Sequence, residues 1–173
     1  MPIELEPSSA GSVITSRKRP RKDRFDVNEA INEVIVLARG EITKNRVSVE
    51  THLMERALPV QGDRVQLQQV VLNLILNALE AMGSVQEGPR ELSISTEQTQ
   101  ANGFLVTVRD TGPGIDPENI DRVFEAFYTT KSSGVGMGLS ICRSIIDAHG
   151  GRLADMKASR GAVFRFTLPS VAD

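Results

Sequence analysis

Apolar residues recur along the chain with two periods, and the changes between them outline the elements. Val27, Ala30, Ile31, Val34, Ile35 and Ala38 repeat at helical spacing. Asp26 stands where an N-cap would, and Glu29 three residues on makes a capping-box-like start, so order is expected from about Phe25. Residues 47–53 alternate and read as a strand. Pro59 and Gly62 read as a turn. Asp63 then caps a long helix to about Met82. Its Val65, Leu67, Val70, Val71, Leu72, Leu74, Ile75, Leu76, Ala78 and Leu79 cover so much of the surface that burial is expected. Residues 92–99 and 103–110 read as two strands, with a hairpin turn at Asn102-Gly103. Residues 111–136 are mostly irregular, with one short helix near 117–124. A helix over 138–148 ends at Gly150-Gly151, and strands over 152–157 and 162–168 close the chain. An antiparallel pair and a terminal hairpin among helices predict an α+β two-layer sandwich rather than a doubly wound sheet.

Composition narrows the class. A chain of 173 residues is one domain by length, large enough to bury roughly 70% of its unfolded surface. A net charge of −2 gives no reason to expect nucleic acid or an anionic membrane as partner. The one cysteine, Cys142, excludes an internal disulfide framework, and with only two histidines a structural zinc site is excluded as well. That fits a reducing, cytoplasmic setting, in a soluble protein or in the cytoplasmic part of a membrane sensor. No apolar run or leader-like segment predicts a membrane span or a signal peptide. Residues 1–24 differ from the rest: Pro2, Pro7, Ser8, Ser9 and Gly11 precede a basic run from Arg17 to Lys22. They read as a flexible lead or an expression remnant, and the basic run as a solvated linker rather than a site for an acidic partner. The remaining residues, 25–173, form the expected domain.

Three segments carry candidate chemistry. On the helix after Asp63, Gln66, Gln69, Asn73, Asn77 and Glu80 step by three and four and make one polar stripe. Asparagine is a poor helix former, and a buried amide without a partner costs roughly 1–3 kcal/mol. Two asparagines one turn apart therefore call for a ligand, or else bond to neighbouring backbone or face water. An amide oxygen is a hard, neutral donor that suits Mg²⁺ whose other ligands are phosphates and water. Asp110, Gly112 and Gly114 place a carboxylate at a strand end beside backbone that a flat ring can approach. A carboxylate only accepts, so it pairs with the amino group of adenine and repels the carbonyl of guanine. The other readings are a turn-capping aspartate, or half of an aspartic-protease pair, which needs a second such triplet or a homodimer. Finally, Lys131 and the alternating Gly134, Gly136 and Gly138 precede a helix N-terminus. That arrangement can gather amides around an anion, or serve as a flexible linker. It has neither the Gly-Lys-Ser/Thr ending of a Walker loop nor the strand-first context of a dinucleotide fingerprint.

Taken in order, these segments resemble the histidine-kinase branch of the ATPase superfamily that includes DNA gyrase, the heat-shock 90 chaperone and mismatch-repair ATPases. Leu67-Gln-Gln-Val-Val-Leu-Asn73-Leu-Ile-Leu-Asn77-Ala resembles the N box, and Asp110-Thr-Gly112-Pro-Gly114-Ile115 the G1 box. Phe124-Glu-Ala-Phe127-Tyr-Thr-Thr-Lys131 resembles the F box, and Gly134-Val-Gly136-Met137-Gly138-Leu139-Ser the G2 box. The closing Gly161-Ala-Val-Phe-Arg-Phe-Thr-Leu-Pro169 is also typical. The resemblance spans about 25–169 and implies the Bergerat ATP-binding fold: a mixed, mainly antiparallel sheet covered on one face by helices, with a mobile lid over ATP. It implies that Asn77 binds Mg²⁺, that Asn73 lies near the phosphates, and that Asp110 holds the adenine amine. Gly112 and Gly114 would shape the base pocket with Ile115. Lys131, Gly136 and Gly138, with Met137 and Leu139, would close over the triphosphate. Phe124 and Phe127 would anchor the lid. Asn73 and Lys131 are the expected catalytic pair.

Two departures refine this. Where the gyrase and chaperone branch has a glutamate that activates water, this chain has Asn73, which cannot act as a base, so slow hydrolysis is expected. Glu80 and Thr129 stand where many relatives are basic, which shifts the expected phosphate contact to Lys131. The family's phosphoacceptor histidine is followed by an acidic residue and, a few residues on, a proline. His52 is followed by Leu53 and His149 by Gly150, so a structural or exposed role is expected for both. The implied activity is ATP-dependent protein-histidine kinase, with transfer to a histidine-containing dimerisation domain of a homodimeric parent. The phosphate would then pass to the receiver domain of a response regulator in a two-component system. The alternatives are a serine protein kinase of the same fold and a non-catalytic ATP-binding docking module.

Overall fold

The computed structural model describes residues 23–56, 59–100, 103–115, 124, 138–156 and 160–169. The first elements are strand β1 (Asp23–Phe25), helix α1 (Val27–Leu37), helix α2 (Arg39–Lys44), and strands β2 (Ser48–His52) and β3 (Val60–Gly62). Helix α3 (Arg64–Met82) and strands β4 (Glu91–Gln98) and β5 (Phe104–Asp110) follow. Helix α4 (Gly138–Ala148) leads to strands β6 (Arg152–Met156) and β7 (Val163–Leu168). Five strands form one sheet in the order β2-β4-β5-β7-β6, antiparallel except for the β2–β4 pair. The α+β class and the mixed, mainly antiparallel sheet are as expected.

The period of two decides which way the sheet faces. Leu92 and Ile94 on β4, Phe104, Val106 and Val108 on β5, and Phe164, Phe166 and Leu168 on β7 are all buried. Their alternates Ser93, Ser95, Thr107, Arg165 and Thr167 are only half-buried. Asp110 continues the Phe104, Val106, Val108 row, so it emerges at the end of β5 on the helix-covered side. Among the described residues no helix is long and apolar enough to cross a membrane.

Capping fixes the helices. Asp26 accepts from the Asn28 and Glu29 amides, and Asp63 accepts from the Gln66 amide. Helix α1 buries Val27, Ala30, Ile31 and Val34, the face set by its spacing. Helix α2 ends in a Schellman arrangement: Val47 N–H donates to Ile42 O and Arg46 N–H to Thr43 O, with Arg46 at φ 54°. His149 ties the end of α4 to the start of α3. Its Nε2 accepts from the Asp63 amide at 2.9 Å while Nδ1 donates to Ile145 O at 2.8 Å.

Two expectations are corrected. Gly62 is not in a turn: it pairs with Asp23 in a two-stranded β1–β3 ribbon. Three-residue strands leave too short a period to register as alternation. Helix α3 is not buried all round, since Val65 is 70% exposed and Leu76 37%. Among the described residues, helices α1 and α4 flank it and the sheet lies beneath, which leaves one side uncovered. Of the expected 117–124 helix only Phe124 is described, in a turn, and Asn102 falls outside the described residues, but Thr99 N–H donates to Gly103 O and closes the β4–β5 hairpin there.

Candidate nucleotide site

Helix α3 is the spine of the site. Leu67, Val70, Val71, Leu74, Ile75, Ala78 and Leu79 turn inward, which leaves the stripe along the open side: Asn73 and Asn77 are half-buried, Gln69 and Glu80 exposed. Asn73 Nδ2 donates to the Cys142 thiol of α4 at 3.6 Å. Burial pushes the Cys142 thiol up to about 11, against the Asn73 hydrogen bond, so it is protonated at neutral pH.

The Asp110 turn meets the other end of α3. A Cβ on Gly112 would lie 3.3 Å from the Ala81 backbone and side chain, so glycine allows this close approach. Asp110 is 5% exposed. Its Oδ1 accepts from the Gly112 amide at 2.8 Å and the Ala162 amide at 3.3 Å, and Oδ2 takes neither. Burial raises its pKa above the ordinary aspartate value, and these two amides offset that only in part. Gly161, at φ 73°, delivers the Ala162 amide, and a Cβ there would sit 1.9 Å from Asp110 O. Thr111 braces the turn from behind. Its hydroxyl donates to Pro89 O at 2.8 Å and accepts from the Glu91 amide at 3.0 Å. The loop carrying Pro89 is held in turn by Arg90, which donates to Asn45 O and Val85 O.

Among the expected site residues, Asn73, Asn77, Asp110, Gly112, Gly114, Ile115, Gly138 and Leu139 are described. Ile115 and Leu139 pack against the core. Gly138 starts α4, and among the described residues nothing lies within 4 Å of a Cβ placed there. Lys131, Gly136, Met137 and Phe127 lie outside the described residues. Phe124 sits edge-on to Phe164 at 6.1 Å with Arg143 over its ring at 5.2 Å. Three supports had no role in the sequence reading: the Gly161–Ala162 clamp, the Thr111 brace and the Cys142 contact. The clamp depends on β5 pairing with β7, a pairing that no local pattern states, though a glycine between two predicted strands was its trace. No group of three His, Cys, Asp or Glu able to hold a metal occurs among the described residues. Any magnesium here would lean on ligand phosphates, for which the neutral oxygens of the stripe are suitable.

An apolar helix with an amide stripe, a carboxylate clamped at a strand end, and a sheet covered by helices on one side define an ATPase domain of the histidine-kinase type. The chain belongs to the histidine kinase-, DNA gyrase B-, and HSP90-like ATPase family, which residues 62–172 match. It is 44% identical over 156 residues to the sensor protein FixL of Bradyrhizobium diazoefficiens, covering 90% of this chain and 30% of that protein. The catalytic domain of histidine kinase ThkA matches with TM-score 0.77 and 36% identity over 87% of this chain and 96% of that one. ThkA in complex with the response regulator TrrA matches with TM-score 0.75 and 32% identity over 97% of this chain and 48% of that one. The chain spans less than a third of the length of each of the first curated relatives it matches.

Proposed function

We propose that this chain binds Mg-ATP and, within a longer sensor kinase, donates the γ-phosphoryl group to a histidine. The observation that carries the reading is the course of α3. Its C-terminal end abuts the Asp110 turn at Ala81, and its middle meets α4 at Asn73. Eight residues of helix separate these points by about 12 Å, a span that a nucleoside triphosphate bridges. Asp110, anchored through Oδ1, offers its other oxygen to the adenine amine, and guanine presents a carbonyl there instead. Phosphates then run toward Asn77, Asn73 and the N-terminus of α4, where the helix dipole favours anions. Asn77 holds the magnesium ion, which when bound neutralises phosphate charge. Lys131, Gly136, Met137 and Gly138 cover the triphosphate, and Ile115 and Leu139 wall the pocket.

Catalysis in this reading is positioning and charge stabilisation rather than covalent chemistry. Asn73 lacks the basicity to activate water, so bound ATP waits for its acceptor. The acceptor lies on a dimerisation domain, the parent is a homodimer on the cytoplasmic side, and the phosphate passes on to a receiver-domain aspartate. That reading draws on sensor kinases among the relatives and on the ThkA–TrrA complex. Residues 1–24 serve as a lead and 25–173 as the catalytic domain, with Asp23 and Arg24 lending backbone to its first strand.

The test supplies the chain with ATP, Mg²⁺ and a histidine-bearing dimerisation domain in trans. Acid-labile phosphate on the histidine is expected. Acid-stable phosphoserine on the partner would favour the serine-kinase alternative instead.

A further inference from the structure

The two helices that frame the stripe meet at a thiol. Cys142 lies one turn into α4 from Gly138 and is fully buried, with Asn73 Nδ2 3.6 Å from its sulfur. Its own S–H is aimed at Val70 O at 3.9 Å. Val70 is one turn before Asn73 on α3, so the carbonyl that receives the proton moves with the amide that meets the lone pairs.

We propose that Cys142 is a positioning residue that sets which end of the Asn73 amide faces the ligand. The idea rests on the Mg-ATP reading above. A primary amide is nearly symmetric in shape but not in chemistry, since one branch accepts and the other donates. With Nδ2 held by sulfur, Oδ1 occupies the branch turned away from α4. Asn73 therefore offers the site an acceptor, which suits a magnesium ion or its water. A reversed amide would offer N–H to a phosphate oxygen instead. Without the thiol acceptor the amide is free to turn, and the loss falls on the magnesium-dependent part of binding.

Calorimetric titration with a non-hydrolysable ATP analogue, with Mg²⁺ and with EDTA, tests this on the unaltered chain, Cys142→Val and Cys142→Ser. The comparison is repeated in an Asn73→Ala background. Cys142→Val is expected to bind as the unaltered chain does in EDTA while its gain from Mg²⁺ falls about fivefold, the size of one modest hydrogen bond. Cys142→Ser, which keeps a donor and an acceptor, recovers most of that gain. Cys142→Val changes nothing further once Asn73 is alanine. An equal loss with and without Mg²⁺, a loss that persists in the Asn73→Ala background, or no loss at all overturns the proposal. An unaltered chain that gains nothing from Mg²⁺ overturns the nucleotide reading and this proposal with it. Should the valine variant fail to fold, the labelled unaltered chain still decides. An NMR contact between the Asn73 Hδ2 and Cys142 Hβ protons is expected, and its absence overturns the proposal.

Discussion

Asp110 is where recognition and stability pull apart. A raised carboxylate pKa means the fold prefers the protonated form. The sign follows: the contribution of Asp110 to stability is greatest below the ordinary value of 3.8 and falls as pH rises through the folded pKa, so its charge opposes folding at neutral pH. Asp110→Asn keeps an oxygen for the Gly112 and Ala162 amides and removes the charge. Thermal melts should show a higher Tm for the variant at pH 7, with the gap closing as pH falls toward 3.8. The amide sets donors against the adenine amine, so ATP affinity is lost in the same variant. Gly161 is the clamp's weak point. Gly161→Ala forces a side chain into a left-handed backbone and into Asp110 O, and should cost about 2–4 kcal/mol in urea unfolding.

At the scale of elements, α3 carries two unlike faces. Leu74 is 1% exposed and Val65 is 70% exposed. Leu74→Ala should cost about 2–5 kcal/mol, while Val65→Ala stays within about 0.5 kcal/mol, both read from urea midpoints. A result in which the two cost the same would mean that the helix packs otherwise. Helix α3 was also the most legible element: Asp63 and Met82 mark its ends in the sequence because cap and period agree. Its stripe was legible as a stripe, but its exposure was not, because periodicity says which residues share a face and not what lies opposite. The β1–β3 ribbon was illegible for a different reason. Its strands are short and 35 residues apart at Phe25 and Val60, and only tertiary pairing makes them strands. The same holds for the amides on Asp110, one local and one from beyond β5.

On the scale of the whole molecule, the chain spans less than a third of the length of each of the first curated relatives it matches. Of its two histidines, His149 is a poor acceptor on physical grounds. His149 is buried with both ring nitrogens engaged, and His52 lies on an exposed strand beside Glu50 at 3.0 Å. Incubated alone with Mg-ATP, the chain should gain no acid-labile phosphate by mass spectrometry, and phosphate on either histidine would contradict that. The central claim is a magnesium-dependent, adenine-selective nucleotide site between α3 and the Asp110 turn. Calorimetric titration with a non-hydrolysable ATP analogue and Mg²⁺, beside its GTP counterpart and the Asp110→Asn and Asn77→Ala variants, tests it most directly. The account predicts binding of the adenine nucleotide only, loss of binding with Asp110→Asn, and loss of the Mg²⁺ dependence with Asn77→Ala. Equal binding of both nucleotides, or unchanged adenine binding by a folded Asp110→Asn variant, would contradict it.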